Sequence, residues 1–126
     1  LTNFDDLKQK FLPEHENPVD SSIIPALLDK FSVKGLKKQT PKKEIKVITK
    51  TLELLKGTYG VWIVNSVSLN IYLARQGSTL FYDKNSFSSI KGTKFKEIKE
   101  GNLYGFSSKG VIKLATFKSN SPFLEI

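Results

Sequence analysis

The chain contains no cysteine and no methionine, one tryptophan, one histidine and, among 20 basic side chains, a single arginine, Arg75. Without cysteine there are no disulfides and no thiolate metal sites, so a stable fold has to come from buried apolar surface. No apolar run approaches the roughly 18 to 20 residues that span a bilayer, and the first residues are polar rather than signal-like. A soluble, cytoplasmic protein without membrane contact is therefore the expectation. Neither a G-x-G-x-x-G turn nor a phosphate-binding loop occurs, and Gly57, Gly60, Gly77 and Gly101 fit turns and close strand packing instead. No metal and no cofactor are expected.

What is present is an ordinary globular composition, 39% hydrophobic and 25% charged over 126 residues, enough for one domain with one core. The formal net charge of +8 is unevenly spread: residues 1–33 sum to −3, residues 34–50 to +6 and the remainder to +5. Nearly all of the positive charge is lysine, whereas phosphate and base-edge recognition favours the planar guanidinium fork of arginine. Nucleic acid is accordingly not expected as a partner, and the lysines read as a solubilising surface. The cluster Lys34, Lys37, Lys38, Lys42, Lys43 and Lys46 is suited to steering an acidic partner.

Periodicity divides the chain in two. Phe4, Leu7, Phe11 and Leu12 recur at helical spacing behind Thr2 or Asn3 as cap, with Asp5 and Asp6 at the positive end of the dipole and Pro13 closing the segment. A second helix is expected after Asp20, with Ser21 or Ser22 as cap, Pro25 in its first turn, and Ile23, Ile24, Leu27, Leu28 and Phe31 on its apolar side. A third runs from Thr40 and Pro41 through Ile45, Ile48, Leu52 and Leu55 to Gly57. Beyond Gly57 the period drops to two. Candidate strands are Tyr59–Asn65, Leu69–Arg75, Leu80–Asp83, Phe87–Ile90, Phe95–Ile98, Asn102–Phe106 and Val111–Phe117. Helices followed by an antiparallel strand series predict a single α+β domain over residues 1–126.

Five segments carry a likeness to a known family. They are Leu55-Lys56-Gly57-Thr58-Tyr59-Gly60, then Leu73-Ala74-Arg75 running into Gly77-Ser78-Thr79-Leu80, the helical opening Leu1 to Phe11, the element Val19-Asp20-Ser21-Ser22-Ile23-Ile24, and Phe95 to Tyr104. Together they resemble the middle of a class II glutamine amidotransferase domain, although Thr79 stands where the family has proline and Ser88-Ser89-Ile90 lacks its acidic residue. The resemblance implies the N-terminal-nucleophile hydrolase fold, an αββα sandwich of two antiparallel sheets between helical layers, here lacking its N-terminal part.

It also implies a function. In that family an N-terminal cysteine attacks the side-chain amide of L-glutamine, with its α-amine as base, forming a glutamyl thioester and releasing ammonia to an acceptor. A His-Asn-Gly turn supplies the oxyanion donors, an arginine holds the substrate carboxylate, and an aspartate accepts the α-ammonium. Only the aspartate maps onto this chain, as Asp20, the one substrate-binding residue the resemblance implies. No catalytic residue is assigned, and the cysteine segment is expected before Leu1. This chain alone is then expected to be inactive, with L-glutamine as ligand only where the intact site is present and a separate ammonia-accepting synthase as partner. Losing a strand of the sandwich would expose a sheet edge, so a homo-oligomer is a further expectation. The alternative is a non-catalytic binding or assembly module that retains the fold.

Each of these residues also has a plain structural role open to it. Asp20 suits the start of a helix whether or not it binds anything. Arg75 reads as a strand-end ion pair or loop brace rather than a substrate ligand, and His15 as a loop residue rather than a base. Tyr59, Trp62 and Tyr72 alternate with aliphatic residues and read as core or sheet-face residues.

Overall fold

The computed structural model describes residues 1–32, 41–82, 86–88 and 96–119. Of the positions singled out above, Lys34, Lys37, Lys38, Thr40, Asp83, Ser89, Ile90 and Phe95 lie outside the described residues. Among the described residues three helices, α1 (Phe4–Phe11), α2 (Ile23–Phe31, entered through a 3₁₀ turn at Asp20–Ser22) and α3 (Pro41–Leu54), precede seven strands. The strands are β1 (Tyr59–Val64), β2 (Ile71–Gln76), β3 (Phe81–Tyr82), β4 (Phe87–Ser88), β5 (Lys96–Glu97), β6 (Asn102–Ser107) and β7 (Gly110–Thr116). They form two antiparallel sheets, one ordered β1-β2-β6-β7 and a small one ordered β4-β3-β5. The α+β class therefore holds.

Strand alternation makes the larger sheet two-faced. Tyr59, Val61 and Ile63 of β1, Tyr72 and Ala74 of β2, and Leu103 and Ala115 of β6 and β7 point to the helices, where Leu7, Ile23, Leu27, Ile48, Leu52 and Leu55 complete the main core. Leu73, Tyr104, Phe106 and Val111 point the other way and pack against Leu80, Tyr82, Phe87 and Ile98 of the small sheet and its flanks. The result is three layers: helices, four-stranded sheet, three-stranded sheet. Among the described residues there is no helix beyond α1, α2 and α3, all of which feed the main core, so the second helical layer of the expected αββα sandwich is not among them.

Several boundaries differ from the sequence expectation, each for a local reason. The first hairpin closes earlier and reopens later, because Asn65 spends its backbone and side chain on the turn. Its N–H donates to the Asn70 carbonyl at 3.1 Å, its carbonyl accepts from Leu69 at 2.8 Å, and its Oδ1 accepts from the amides of Val67 and Ser68 at 2.8 and 3.1 Å. That turn holds Leu69 at φ +62°, a left-handed conformation costly for a branched side chain. Asn3 precedes α1 as expected, but its side chain makes no cap; it bridges the end of α3, donating to the Leu54 carbonyl at 2.8 Å and accepting from the Lys56 amide at 3.0 Å. In β7 one extra residue, Leu114, opens a bulge opposite Leu103 and Tyr104 and lays its side chain over Gly105.

Candidate functional site

Asp20 opens the 3₁₀ turn ahead of α2, at the end of a loop braced by short-range hydrogen bonds. Asn17 Oδ1 accepts from the Val19 amide at 2.9 Å, and the Val19 carbonyl accepts from both the Ser22 amide at 3.0 Å and the Ser22 hydroxyl at 2.5 Å. The side chain of Asp20 is 50% exposed and pairs with the nitrogen of Leu1. Residues Leu1 to Asn3 are themselves fastened to the turn after α3: the Thr2 amide donates to the Lys56 carbonyl at 2.8 Å, beside the Asn3 bridge. Gly57 completes this corner. It sits at φ +106°, and a Cβ there would lie 2.9 Å from the Thr2 nitrogen and 3.0 Å from Leu1 Cα, so only glycine admits the close approach. Asp20, the first residues and the Gly57 turn thus meet where β1 begins.

His15 lies in the same loop, with Nε2 2.8 Å from Ser22 Oγ. A serine beside a histidine invites a nucleophilic reading, but the hydrogen-bond logic opposes it. Ser22 Oγ is committed as donor to the Val19 carbonyl, so its contact with His15 is one in which Nε2–H donates and no basic nitrogen faces the hydroxyl. Phe4, with its ring 6.2 Å from the imidazole, packs the other side. His15 is a loop brace, as is Arg75. The Arg75 guanidinium donates to the carbonyls of Ile98 and Ser78 and pairs with Glu97 at 3.1 Å, tying the end of β2 to the small sheet.

Two buried polar clusters were not singled out from the sequence. Glu44, in the first turn of α3, accepts from the Tyr72 hydroxyl at 2.6 Å and the Ser68 hydroxyl at 3.1 Å, while its Oε2 is buried without a hydrogen-bond partner. Burial, reinforced by the Glu44 hydrogen bond and charge, holds the Tyr72 phenol well above the ordinary tyrosine pKa. At the other end of β2, Gln76 donates to the carbonyls of Leu55 and Gly57, and Ser119 Oγ lies 3.2 Å from both Gln76 Oε1 and Glu100 Oε1 with one proton to share between them. The neighbouring Tyr59 hydroxyl is buried and unpartnered; burial first, and the Glu100 charge second, push its pKa far up. Both clusters had a sequence signal. Glu44 lies four residues before Ile48 on the buried stripe of α3, and Gln76 continues the inward alternation of Tyr72 and Ala74.

Among the described residues no three His, Asp or Glu side chains gather as metal ligands, and no helix is long and apolar enough to cross a membrane. No protein-family model, curated protein or solved structure matches the chain.

Proposed function

We propose that this chain is the glutamine-holding part of a class II glutamine amidotransferase-type unit, with the Asp20 carboxylate accepting the α-ammonium of L-glutamine. The observation that carries the reading is the corner at Asp20. A half-exposed carboxylate stands at the head of a helix, braced from behind by the Asn17 to Ser22 loop. An ammonium in that position gains a charge-assisted hydrogen bond that an amide or an alcohol does not. Two antiparallel sheets stacked face to face beneath a helical layer correspond to three of the four layers this reading requires.

The chain has no cysteine, and neither serine nor threonine at this corner is set up as a substitute. The Thr2 amide is bonded to Lys56, and Ser22 Oγ is committed to Val19. In this reading the nucleophile comes from outside these 126 residues, and this chain binds and orients substrate without forming a thioester. The ammonia released in the intact unit passes to a separate acceptor synthase.

Titration of the chain with L-glutamine, followed by amide chemical shifts, tests the assignment. Shifts are expected at Asp20, Ser21 and Gly57 with millimolar affinity, and Asp20→Asn is expected to weaken binding by roughly 1.5 to 3 kcal/mol, about ten- to a hundredfold. D-glutamine is expected to perturb these amides less, and no glutamate is expected to appear. Equal binding by Asp20→Asn, or silence of the corner under excess L-glutamine, would overturn the reading.

A further inference from the structure

We infer that the outer edge of β1 joins a second copy of this chain, strand to strand and antiparallel, about a twofold axis at Trp62. The larger sheet has two edges, β1 and β7, and among the described residues neither has a strand on its outer side. Soluble proteins blunt such edges with lysine, proline or a bulge, because a row of free N–H and C=O groups templates another strand. β7 follows that rule: Lys113 stands mid-strand and the Leu114 bulge breaks its ladder. β1 does not. From Thr58 through Asn70 the sequence contains no charged residue and no proline, in a chain where a quarter of the residues are charged (25%).

The side chains along this edge are apolar and open. Trp62 is 58% exposed and Val64 53%, both on the face turned toward the small sheet. The Trp62 indole is held in place, since it rests on Phe87 at 5.1 Å, which in turn rests on Phe106 at 5.2 Å. A large aromatic already fixed on one side and bare on the other loses little freedom when covered.

The second copy is the occupant this edge fits, for reasons of register and charge. Cross-strand neighbours share a face, so a twofold axis through an antiparallel pair relates residues of equal parity. With the axis at Trp62, the two indoles meet, Val61 lies opposite Ile63 of the second copy, and Gly60 opposite Val64. Residues 60 to 64 pair among themselves, Tyr59 falls opposite Asn65 at the turn, and no charge is left to be matched. Two molecules of net charge +8 repel, and their approach is cheapest where neither carries lysine, which is this stretch. A foreign strand of acidic character gains nothing from an uncharged edge. The inference is independent of the glutamine reading.

Because the chain has no cysteine, Trp62→Cys introduces a single thiol whose only protein partner is its copy, a mixed disulfide with glutathione being the step before it. At the axis the two Cα atoms lie about 4.5 to 5.5 Å apart, inside the roughly 4.4 to 6.8 Å that a disulfide tolerates. With oxidised glutathione as oxidant, two thiols become one disulfide and the glutathione disulfide is reduced to two thiols. Covalent dimer is expected from Trp62→Cys and not from Ile112→Cys, a position equally exposed on β7 at 58%. Sedimentation equilibrium of the unaltered chain is expected to give a dimer that tightens with added salt as lysine repulsion is screened. Val64→Lys is expected to raise the dimer dissociation constant by about tenfold or more, with the melting temperature unchanged when both proteins are compared at concentrations where they are monomeric. A monomer at every concentration and salt, a dimer that Val64→Lys leaves intact, or equal cross-linking through Ile112→Cys would each overturn the inference.

Discussion

Glu44 shows what one buried carboxylate asks of its surroundings. Placed on the inner face of α3, it exchanges water for two hydroxyl donors, Tyr72 and Ser68, both from the first hairpin. Removing one donor while keeping the ring leaves the charge short of a partner it cannot replace from solvent. Tyr72→Phe is therefore expected to lower stability by roughly 1 to 3 kcal/mol, read as a lower urea midpoint at unchanged slope. An unshifted midpoint would mean that Glu44 draws nothing from Tyr72. At this scale the sequence was partly legible. Asp20 stands at a helix start as its sequence context implies, while the Gly57 turn and the first residues that gather beside it lie far off along the chain, beyond any local pattern. Glu44 sat in plain periodicity with Ile48, but a glutamate early in a helix has a ready explanation in the dipole, and that explanation hides the burial.

Gly57 matters to two elements at once. It ends the turn after α3 and receives the first residues of the chain so closely that a methyl group would meet backbone, not a yielding side chain. Gly57→Ala is expected to cost roughly 1 to 3 kcal/mol from the positive φ alone, and to release the Thr2 amide from protection against hydrogen exchange. Retained protection at Thr2 would contradict the close approach. The elements themselves were readable because period 3.6 and period 2 follow from which side chains face a core. Their ends were less so. α3 stops at Leu54 rather than Gly57, and β2 begins at Ile71 rather than Leu69, because Asn3 and Asn65 place their hydrogen bonds across those junctions. The three candidate strands of the small sheet are described only over Phe81–Tyr82, Phe87–Ser88 and Lys96–Glu97, beside which Leu80 and Ile98 pack against the larger sheet.

Taken as a whole, the molecule hides two phenols against its helical layer. Burial keeps Tyr59 and Tyr72 protonated in the folded state far above the ordinary value of about 10, which the unfolded chain regains. Both states carry these protons below about pH 10, so the contribution is fully present there. Above it the unfolded chain releases protons that the fold retains, and stability falls. A urea midpoint that is level near neutrality and declines beyond about pH 10, with a shallower decline in Tyr72→Phe, is the expected profile. The same decline in both proteins would show that Tyr72 is not part of it.

The sequence by itself determined the α+β class, the helix-then-strand order, the inward stripes and the absence of disulfides, because composition and periodicity act within a few residues along the chain. Only the tertiary structure decided which sheet each strand joins, that the helices cover one face and a small sheet the other, and that Asp20 meets the first residues and Gly57 at one corner. It also decided which edge carries a lysine and which is bare. These outcomes depend on pairings between residues far apart in the chain, and burial is assigned to a side chain only once its distant neighbours have arrived.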